Sequence, residues 1–398
     1  MKHRILFVDD DPLVLQGLRR MLYPLRNEWE MEFAESGDKA LNLLAASQFK
    51  VVVSDMRMPG MNGAELLNRV MQAYPKTIRL ILSGHADSDL IMKCVGATHQ
   101  YLAKPCDAET LKTTINRAAA LENTLQNDAL RQLAAHMDHL PSCPALYTEI
   151  TAKLQSPDVG LDEIADIIAR DIGMTAKILK LVNSAFFGMS REISAPKEAV
   201  AHLGLDTIKA LVLSTQAFAL LKSPDIEGFS ADALWDHSLR TATAARAIAR
   251  AEHAAPNIVE ETFTAGLLHD TGKLVFAANC GKQFATALEM AATESLPVTE
   301  AERRIFGASH AELGGYLLSL WGLPVPLVEA VTLHHTPAAS VAQGFGSLIA
   351  VHTANALVQE ASPTPDAQLD LPHLTTLGFA ERVPVWRAAV QAAFEPKE

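Results

Sequence analysis

The first 120 residues repeat one pattern five times, and this pattern restricts the fold more than any other feature of the chain. Short apolar runs alternate with amphipathic segments of helical spacing, and the runs lie at residues 4–8, 31–35, 51–55, 78–82 and 100–104. Five β–α repeats of this length predict an α/β doubly wound, five-stranded parallel sheet with helices on both faces. In such a sheet, ligands bind at the carboxyl ends of the strands.

Polar residues stand at the carboxyl ends of four of the predicted strands: Asp9, Asp10 and Asp11 after the first, Asp55 after the third, Ser83 after the fourth and Lys104 after the fifth. Carboxylates that converge at one edge repel each other unless a hard cation lies among them. A lysine and a hydroxyl at the same edge can neutralise and hydrogen-bond a phosphoryl group. We therefore expect a phosphoryl site here rather than ordinary loop residues.

From residue 141 onward the pattern is almost entirely helical, and polar residues recur within it at His237, His269, Asp270, Lys273, His310, His334, His335 and Asn355. Any one of these histidines, taken alone, is more typical of a satisfied core or surface residue. Together, neutral imidazoles with a bridging carboxylate suit Zn²⁺, Mn²⁺ or Fe. A lysine beside them could stabilise the negative charge of phosphoester hydrolysis. Spacing alone does not show convergence, so a metal centre and a retained polar core both stay open.

Four segments of the N-terminal part, "FVDDD", "VVVSDMRMPGMNG", "LILSGHAD" and "YLAKP", resemble the receiver domain of bacterial two-component response regulators. The resemblance implies that Asp55 accepts phosphate from a histidine kinase. It also implies that Asp10 and Asp55, with the backbone carbonyl of Arg57, hold Mg²⁺, and that Asp9 supports the ion through water. The residues implied to contact or respond to the phosphoryl group are Ser83, Lys104 and Tyr101.

Six segments between about residues 135 and 340, among them "GLLHDTGKLVF" and "HAELGGYLLSLWGLP", resemble the HDOD domain, a relative of the HD phosphohydrolases. Measured against those enzymes, seven motif positions are kept: His237, His269, Asp270, Lys273, His310, His334 and His335. Asn355 stands where the enzymes carry an aspartate, and "TPAASVAQG" after "LHH" lacks the Gly-Tyr-Pro loop of the cyclic di-GMP phosphodiesterases. The resemblance implies a non-catalytic output domain that binds an unidentified protein. The alternative is a phosphohydrolase for a cyclic dinucleotide or nucleotide, dependent on Fe, Mn or Zn.

The predicted order is a receiver at 1–122, a helical connector at 123–140, an output domain at 141–360, and a C-terminal loop and helix at 361–398. An apolar stripe between residues 111 and 140 allows two interpretations. One is a signalling helix that pairs with a second copy in a homodimer. The other is the last receiver helix followed by a helix that docks on the next domain. The C-terminal helix is predicted to dock either on the output domain or on a partner.

The charge distribution argues against direct binding of nucleic acid. Residues 1–122 hold 15 basic and 15 acidic residues, so the whole net charge of −12 lies in the rest of the chain. A phosphate-backbone binder usually shows a basic patch. No apolar run approaches the roughly 20 residues of a membrane-spanning helix, and the N-terminus does not read as a signal peptide. The four cysteines form no CxxC pair, which is typical of reduced thiols in a cytoplasmic protein.

Overall fold

The computed structural model of the chain describes residues 2–83, 98–104, 106–120, 127–137, 140–154, 156, 159–183, 192–213, 226–360 and 368–395. Contacts between residues divide the chain into two compact units, one built mainly of residues 1–138 and the other mainly of residues 139–398.

The first unit is a five-stranded parallel sheet. Its strands are β1 (His3–Val8), β2 (Trp29–Ala34), β3 (Val51–Asp55), β4 (Ile78–Ser83) and β5 (Gln100–Ala103). They are ordered β2-β1-β3-β4-β5, and every neighbouring pair is parallel. The central strands are buried, as continuous apolar runs such as Val51–Val53 require. The predicted α/β fold is confirmed.

Helices connect and cover these strands: α1 (Pro12–Met21), α2 (Gly37–Ala46), α3 (Gly63–Ala73), α4 (Ala108–Ala120) and α5 (Asp128–His136). The first three begin at side chains that accept a backbone N–H of their own first turn, namely Asp11, Ser36 and Asn62. Such caps satisfy donors that a helix cannot pair internally. The segment between β4 and β5 lies outside the described residues over 84–97.

Helix α5 is attached to the sheet of the first unit through a buried arginine. The Arg79 guanidinium on β4 donates hydrogen bonds to the carbonyl of Ala135 at 2.5 Å and to that of Thr77 at 3.1 Å. Its Nη2 also lies 2.8 Å from Nε2 of His99. At the other end of the helix, Lys76 Nζ lies 2.7 Å from Asp128. In this unit, therefore, part of the predicted connector packs on the receiver sheet.

The second unit is helical, as predicted. Its helices are α6 (Pro144–Leu154), α7 (Leu161–Ile168), α8 (Ile172–Val182), α9 (Pro196–Leu213), α10 (Ala231–Ala251), α11 (Pro256–Leu268), α12 (Thr271–Glu294), α13 (Val298–Phe306), α14 (His310–Leu320), α15 (Val325–Leu333), α16 (Ser347–Val358), α17 (Leu371–Thr376) and α18 (Val383–Phe394). Helix α10 packs against α11, α16 and α18.

The C-terminal helix α18 docks on the second unit. Trp386 is fully buried, and its Nε1 donates to Glu252 Oε1 at 2.7 Å; Arg382 contacts the same carboxylate. Of the two predicted destinations for this helix, the structure selects the output domain. Within the described part of the chain, none of the helices has both the length and the apolar character needed to cross a membrane.

Candidate functional site

The carboxyl edge of the sheet brings two aspartates and a lysine into direct contact. Asp9 follows β1 and is buried, Asp55 ends β3, and Lys104 follows β5. Lys104 Nζ donates to Asp9 Oδ2 at 2.7 Å and also donates to Asp55 Oδ1. The backbone N–H of Arg57 donates to the other oxygen of Asp55 at 2.7 Å. Residues separated by about 50 positions in the sequence therefore form one charged site.

Lys104 and Asp55 affect each other's ionisation. Burial raises the pKa of Asp55, while the hydrogen bond and the charge of Lys104 oppose the rise. Burial would lower the pKa of Lys104, but its hydrogen bonds and charge interactions with Asp55 and Asp9 outweigh burial and raise it. The lysine is thus held as a cation between two carboxylates.

The other residues expected at this site are described only in part. Asp10 is exposed next to Asp9 at the same edge. The backbone of Ser83 pairs with Ala103, and that of Tyr101 pairs with Ile81, while the side chains of Ser83 and Tyr101 lie outside what the structure describes. Carboxylate and carbonyl oxygens are the ligands that Mg²⁺ prefers, so the residues at this edge fit the implied ion.

A glycine shapes the loop that follows the predicted phosphate acceptor. A Cβ atom at Gly63 would lie 2.1 Å from the carbonyl oxygen of Asp55, so only glycine allows this approach. The Gly63 N–H donates to the carbonyl of Met56 at 2.9 Å and closes the loop onto β3. The last glycine of "MRMPGMNG" is therefore required by the backbone around Asp55.

In the second unit, helix ends bring the predicted histidines together. His237 lies on α10, His310 begins α14, His269 and Asp270 join α11 to α12, and His334 and His335 follow α15. They form two overlapping groups that share Asp270. One group is His237, His269 and Asp270; the other is Asp270, His310, His334 and His335. Within each group the ligand atoms lie within 4.8 Å of one another.

Three of these imidazoles are oriented by hydrogen bonds at Nδ1. His269 Nδ1 lies 2.7 Å from the carbonyl of Gly266, and His334 Nδ1 lies 2.8 Å from the carbonyl of Val331. His310 Nδ1 lies 2.7 Å from Glu302 Oε2. A carbonyl or carboxylate at Nδ1 favours the tautomer whose Nε2 lone pair is available to a metal. In all three, Nε2 faces the other members of the cluster.

Glu302 is a member of this site that the sequence did not reveal. It lies on α13, is fully buried, and also accepts the backbone N–H of His310 at 2.7 Å. In sequence it resembles the other charged residues of an amphipathic helix, Glu300, Arg303 and Arg304. No spacing rule separates it from them, because its burial depends on the packing of α13 against its neighbours.

Asp270 lies between the two groups. Its Oδ2 is 3.4 Å from Nε2 of His269 and 2.8 Å from Nζ of Lys273, and its Oδ1 is 3.1 Å from Nε2 of His310. The Nε2 atoms of His237 and His269 are also close to each other, at 3.2 Å. Asp270 is therefore placed to bridge two positions, one at each of its oxygens.

Burial and the neighbouring charges give the members of the cluster different proton affinities. Burial, assisted by the charge of His269, lowers the pKa of His237 to about 3. Burial likewise holds the pKa of His334 well below its usual range. Burial would raise the pKa of Asp270, but the charges of His269 and Lys273 outweigh it and hold the pKa well below normal. For His310, the charge of Glu302 outweighs burial and raises the pKa to about 9.

The donor set fits a transition metal ion. Among the described residues, the buried atoms Asp270 Oδ1 and His334 Nε2 have no hydrogen-bond partner of acceptable geometry. Leaving such atoms unsatisfied costs free energy, and coordination to a metal would remove that cost. Several imidazoles with one carboxylate are the ligands that Zn²⁺, Mn²⁺ and Fe bind in proteins.

A cavity of about 500 Å³ opens beside one end of the cluster, where His237, Asp270 and Lys273 line it. Arg240 also lines it and adds a second cationic side chain, while Phe284 is one of several apolar residues on its wall. Asp236 lines it as well, so the cavity combines charged side chains of both signs with an apolar surface.

The position at which the HD enzymes carry an aspartate is occupied by an amide pair. Asn355 is buried on α16, and its Oδ1 accepts a hydrogen bond from Gln359 Nε2 at 2.8 Å. The same Gln359 nitrogen lies 3.5 Å from Nε2 of His237. A neutral amide that already accepts a hydrogen bond is a poorer metal ligand than a carboxylate.

Two family models match the chain, the response regulator receiver domain over residues 5–116 and the HDOD domain over residues 140–337. An uncharacterized protein of Treponema pallidum is 30% identical over 226 residues, which are 56% of this chain and 43% of that protein. The response regulator protein FleR of Pseudomonas aeruginosa is 32% identical over 121 residues, covering 30% of this chain and 25% of FleR. The crystal structure of the MmoQ response regulator of Methylococcus capsulatus is 27% identical, with a TM-score of 0.48, and covers 63% of this chain and 98% of that one.

The chain spans well under half the length of the first curated relatives that it matches, 43% and 36% for the first two. The matches agree with the two units of the structure, one with the parallel sheet and one with the helical histidine cluster. Residues 5–116 therefore belong to the response regulator receiver domain family and residues 140–337 to the HDOD domain family.

Proposed function

We propose that this protein is a phosphorylation-controlled response regulator, in which Asp55 accepts a phosphoryl group from a histidine kinase and the HDOD domain carries the output. The observation that carries the proposal is the contact of Lys104 Nζ with both Asp9 and Asp55 at the carboxyl edge of the sheet. A cation held beside a carboxylate is what an acceptor of a highly charged phosphoryl group requires.

In the transfer, a carboxylate oxygen of Asp55 attacks the phosphorus of the phosphohistidine. The N–P bond breaks, and the histidine nitrogen keeps the electron pair. The ammonium of Lys104 neutralises charge on the phosphoryl oxygens, and the Arg57 N–H orients the carboxylate. Asp10, Asp55 and the carbonyl of Arg57 would hold Mg²⁺, with Asp9 supporting it through water, and the ion would supply further charge neutralisation when bound.

The test of this step is phosphorylation of the full chain by a low-molecular-weight donor such as acetyl phosphate with Mg²⁺, followed by intact-mass measurement. We expect one phosphoryl group on the wild type and none on Asp55→Asn. The matched control is Asp38→Asn, which changes an exposed aspartate on α2 and should label like the wild type. Equal labelling of Asp55→Asn and the control would contradict the assignment.

The output is proposed to be a protein–protein interaction rather than catalysis. The amide at Asn355 and the missing Gly-Tyr-Pro loop support this, because each removes a part that the related enzymes use. Phosphorylation adds about two negative charges and would bias a two-state receiver surface, which the connector passes on to the output domain. In the cytoplasm, the partners would be a sensor histidine kinase, an unidentified target protein and a second copy of the chain. Light scattering with and without beryllofluoride, which mimics the phosphoryl group, measures the association of two copies. An unchanged molar mass would exclude phosphorylation-dependent dimerisation.

A second candidate function is metal-dependent hydrolysis of a phosphoester, such as a cyclic dinucleotide or nucleotide. The observation that favours it is the cavity of about 500 Å³ lined by His237, Asp270 and Lys273. A metal ion held by Asp270 and the histidines would lower the pKa of a bound water when present. Lys273 and Arg240 would hold the anionic phosphate at the mouth of the cluster.

Hydrolysis of bis(p-nitrophenyl) phosphate and of cyclic di-GMP by the full chain, supplied with Mn²⁺ or Zn²⁺, tests this candidate. The result would support an enzyme if Asp270→Asn abolishes turnover and Asp232→Asn keeps it. Asp232 lies on the exposed face of α10. Absence of turnover in metal-loaded wild type would exclude these two substrates and leave the binding function.

A further inference from the structure

We infer that the two groups of the histidine cluster bind metal with different affinity: Asp270, His310, His334 and His335 form a closed site that holds one transition metal ion tightly. The remaining position, at His237, His269 and the other oxygen of Asp270, is open and weak. The inference shares residues with the second candidate function but requires no hydrolysis, and its test measures metal rather than turnover.

The first argument is the number of donors. Asp270 Oδ1 and the three histidines supply four ligand atoms within 4.8 Å of one another, the number that a structural zinc site uses. Among the residues that the structure describes, the other position has Asp270 Oδ2, His237 and His269. The side chain that would complete it, Asn355, is a neutral amide whose oxygen already accepts from Gln359.

The second argument is the spacing of the nitrogens. His310 Nε2 lies 3.1 Å from His335 Nε2 and 3.1 Å from Asp270 Oδ1. Two ligands bound at about 2.1 Å to one ion are separated by roughly 3.0–3.4 Å in octahedral or tetrahedral geometry. Two imidazole lone pairs at this distance repel each other unless a proton or a metal ion lies between them. His310 therefore already has the spacing of a coordinated ligand toward His335 and Asp270, and His334 Nε2 lies somewhat farther away, at 3.8 Å from Asp270 Oδ1.

The third argument is the support behind His310. Glu302 accepts both the backbone N–H and the Nδ1–H of His310 at 2.7 Å, so the ring is held from two sides. A carboxylate behind a ligating histidine raises the basicity of the imidazole and fixes its orientation. His237 is partly exposed, and its Nε2 lies 3.2 Å from His269 Nε2, 3.5 Å from Gln359 Nε2 and 3.7 Å from Asp270 Oδ2.

The fourth argument is access. Asp270, His310 and His334 are almost completely buried. The cavity is lined by His237, Asp270 and Lys273, whereas His310, His334 and His335 are not part of its described wall. Structural metal sites are closed, and exchangeable or catalytic ones keep a position open to solvent. His335 is partly exposed, but three of the four ligands in its half are buried, so this half is the more enclosed of the two.

The experiment measures metal per chain by plasma mass spectrometry after the full-length protein is loaded with Zn²⁺ and dialysed against metal-free buffer. We expect close to one ion per chain in the wild type and in His237→Ala, and almost none in His335→Ala. Both histidines are partly exposed, so the two variants are matched in accessibility. Glu302→Gln should retain one ion but bind it 10–100-fold more weakly in a chelator competition.

A thermal melt followed by circular dichroism gives a second readout. Zn²⁺ should raise the melting temperature of the wild type and of His237→Ala, and leave that of His335→Ala unchanged. If His335→Ala fails to fold, His335→Gln replaces it. Loss of the ion in His237→Ala, two ions held equally, or no retained ion in the wild type would each overturn the inference. A retained ion without hydrolysis would leave the inference standing and reject only the enzyme.

Discussion

The backbone of His310 passes so close to Gly272 that a Cβ atom at position 272 would lie 2.0 Å from the carbonyl oxygen of His310. Gly272 is in the first turn of α12, two residues after Asp270, and His310 begins α14. This approach brings the two helix starts together and places Asp270 beside the His310 ring. The glycine of "HDTGK" is therefore part of how the cluster is assembled.

We predict that Gly272→Ala destabilises the HDOD domain by about 1–3 kcal/mol, because the backbone around His310 must shift to admit the methyl group. The measurement is the midpoint of denaturant unfolding followed by far-UV circular dichroism. Gly344→Ala is the control, since nothing lies within 4 Å of a Cβ at that position. Equal midpoints for the two variants would show that the close approach does not restrict position 272.

Lys104→Met should slow phosphorylation of Asp55 by acetyl phosphate by about 10²-fold, the effect typical of removing one preorganised charge-stabilising donor. The variant keeps a side chain of similar length but loses the cation that contacts Asp9 and Asp55. The rate of appearance of the phosphorylated mass measures it. Lys39→Met, which removes an exposed lysine paired with Glu35, should leave the rate unchanged. Equal rates for the two variants would mean that Lys104 does not act on the phosphoryl group.

Asp171 should make the stability of the HDOD domain depend on pH. It is completely buried, and burial raises its pKa from 3.8 to about 6, although the N–H groups of Met174 and Cys143 oppose the rise. Because the pKa of Asp171 is higher in the folded than in the unfolded protein, its contribution to the free energy of unfolding is fully present below about pH 4. It is lost as the pH rises through about 6. The difference amounts to roughly 3 kcal/mol.

In Asp171→Asn this contribution is absent, so the stability of the variant relative to the wild type should improve between pH 4.5 and pH 7.5. Urea unfolding at the two pH values measures the change. Asp162→Asn, at an exposed site in the first turn of α7, should show no such trend. A constant offset between Asp171→Asn and the wild type at both pH values would reject the assignment.

Arg79→Met should release helix α5 from the receiver sheet. Burial lowers the pKa of Arg79 to about 9, so the guanidinium is still charged at neutral pH, and its bond to the carbonyl of Ala135 ties down the end of the helix. Loss of a hydrogen bond from a charged group costs about 1.5–3 kcal/mol. Amide hydrogen exchange over residues 128–136 should therefore accelerate by about 10–100-fold.

The comparison for this variant is Lys76→Met, which breaks the exposed ion pair with Asp128 at the start of the same helix. Exposed pairs contribute at most about 1 kcal/mol, so the acceleration should stay below about fivefold. If both variants exchange alike, the buried arginine is not the main attachment of α5.

Much of the receiver could be predicted from the sequence because its signals are local. Each apolar run is long enough for one buried strand, and the parallel topology brings the residues after the strands to one edge. Asp9, Asp55 and Lys104 meet there as expected. The side chains of Ser83 and Tyr101 and the presence of Mg²⁺ stay predictions.

The type of each unit, and the histidines and aspartate of the cluster, follow from the amino-acid sequence alone, because strand and helix periodicity and motif spacing are properties of short segments. The way those residues group depends on contacts between distant segments. The division of the histidines around the two oxygens of Asp270 depends on which helix ends pack together, as at Gly272 and His310. The buried role of Glu302, the attachment of α5 by Arg79 and the docking of α18 have the same origin. A charged residue on an amphipathic helix is buried or exposed according to its neighbours in space, and those neighbours are distant in the sequence.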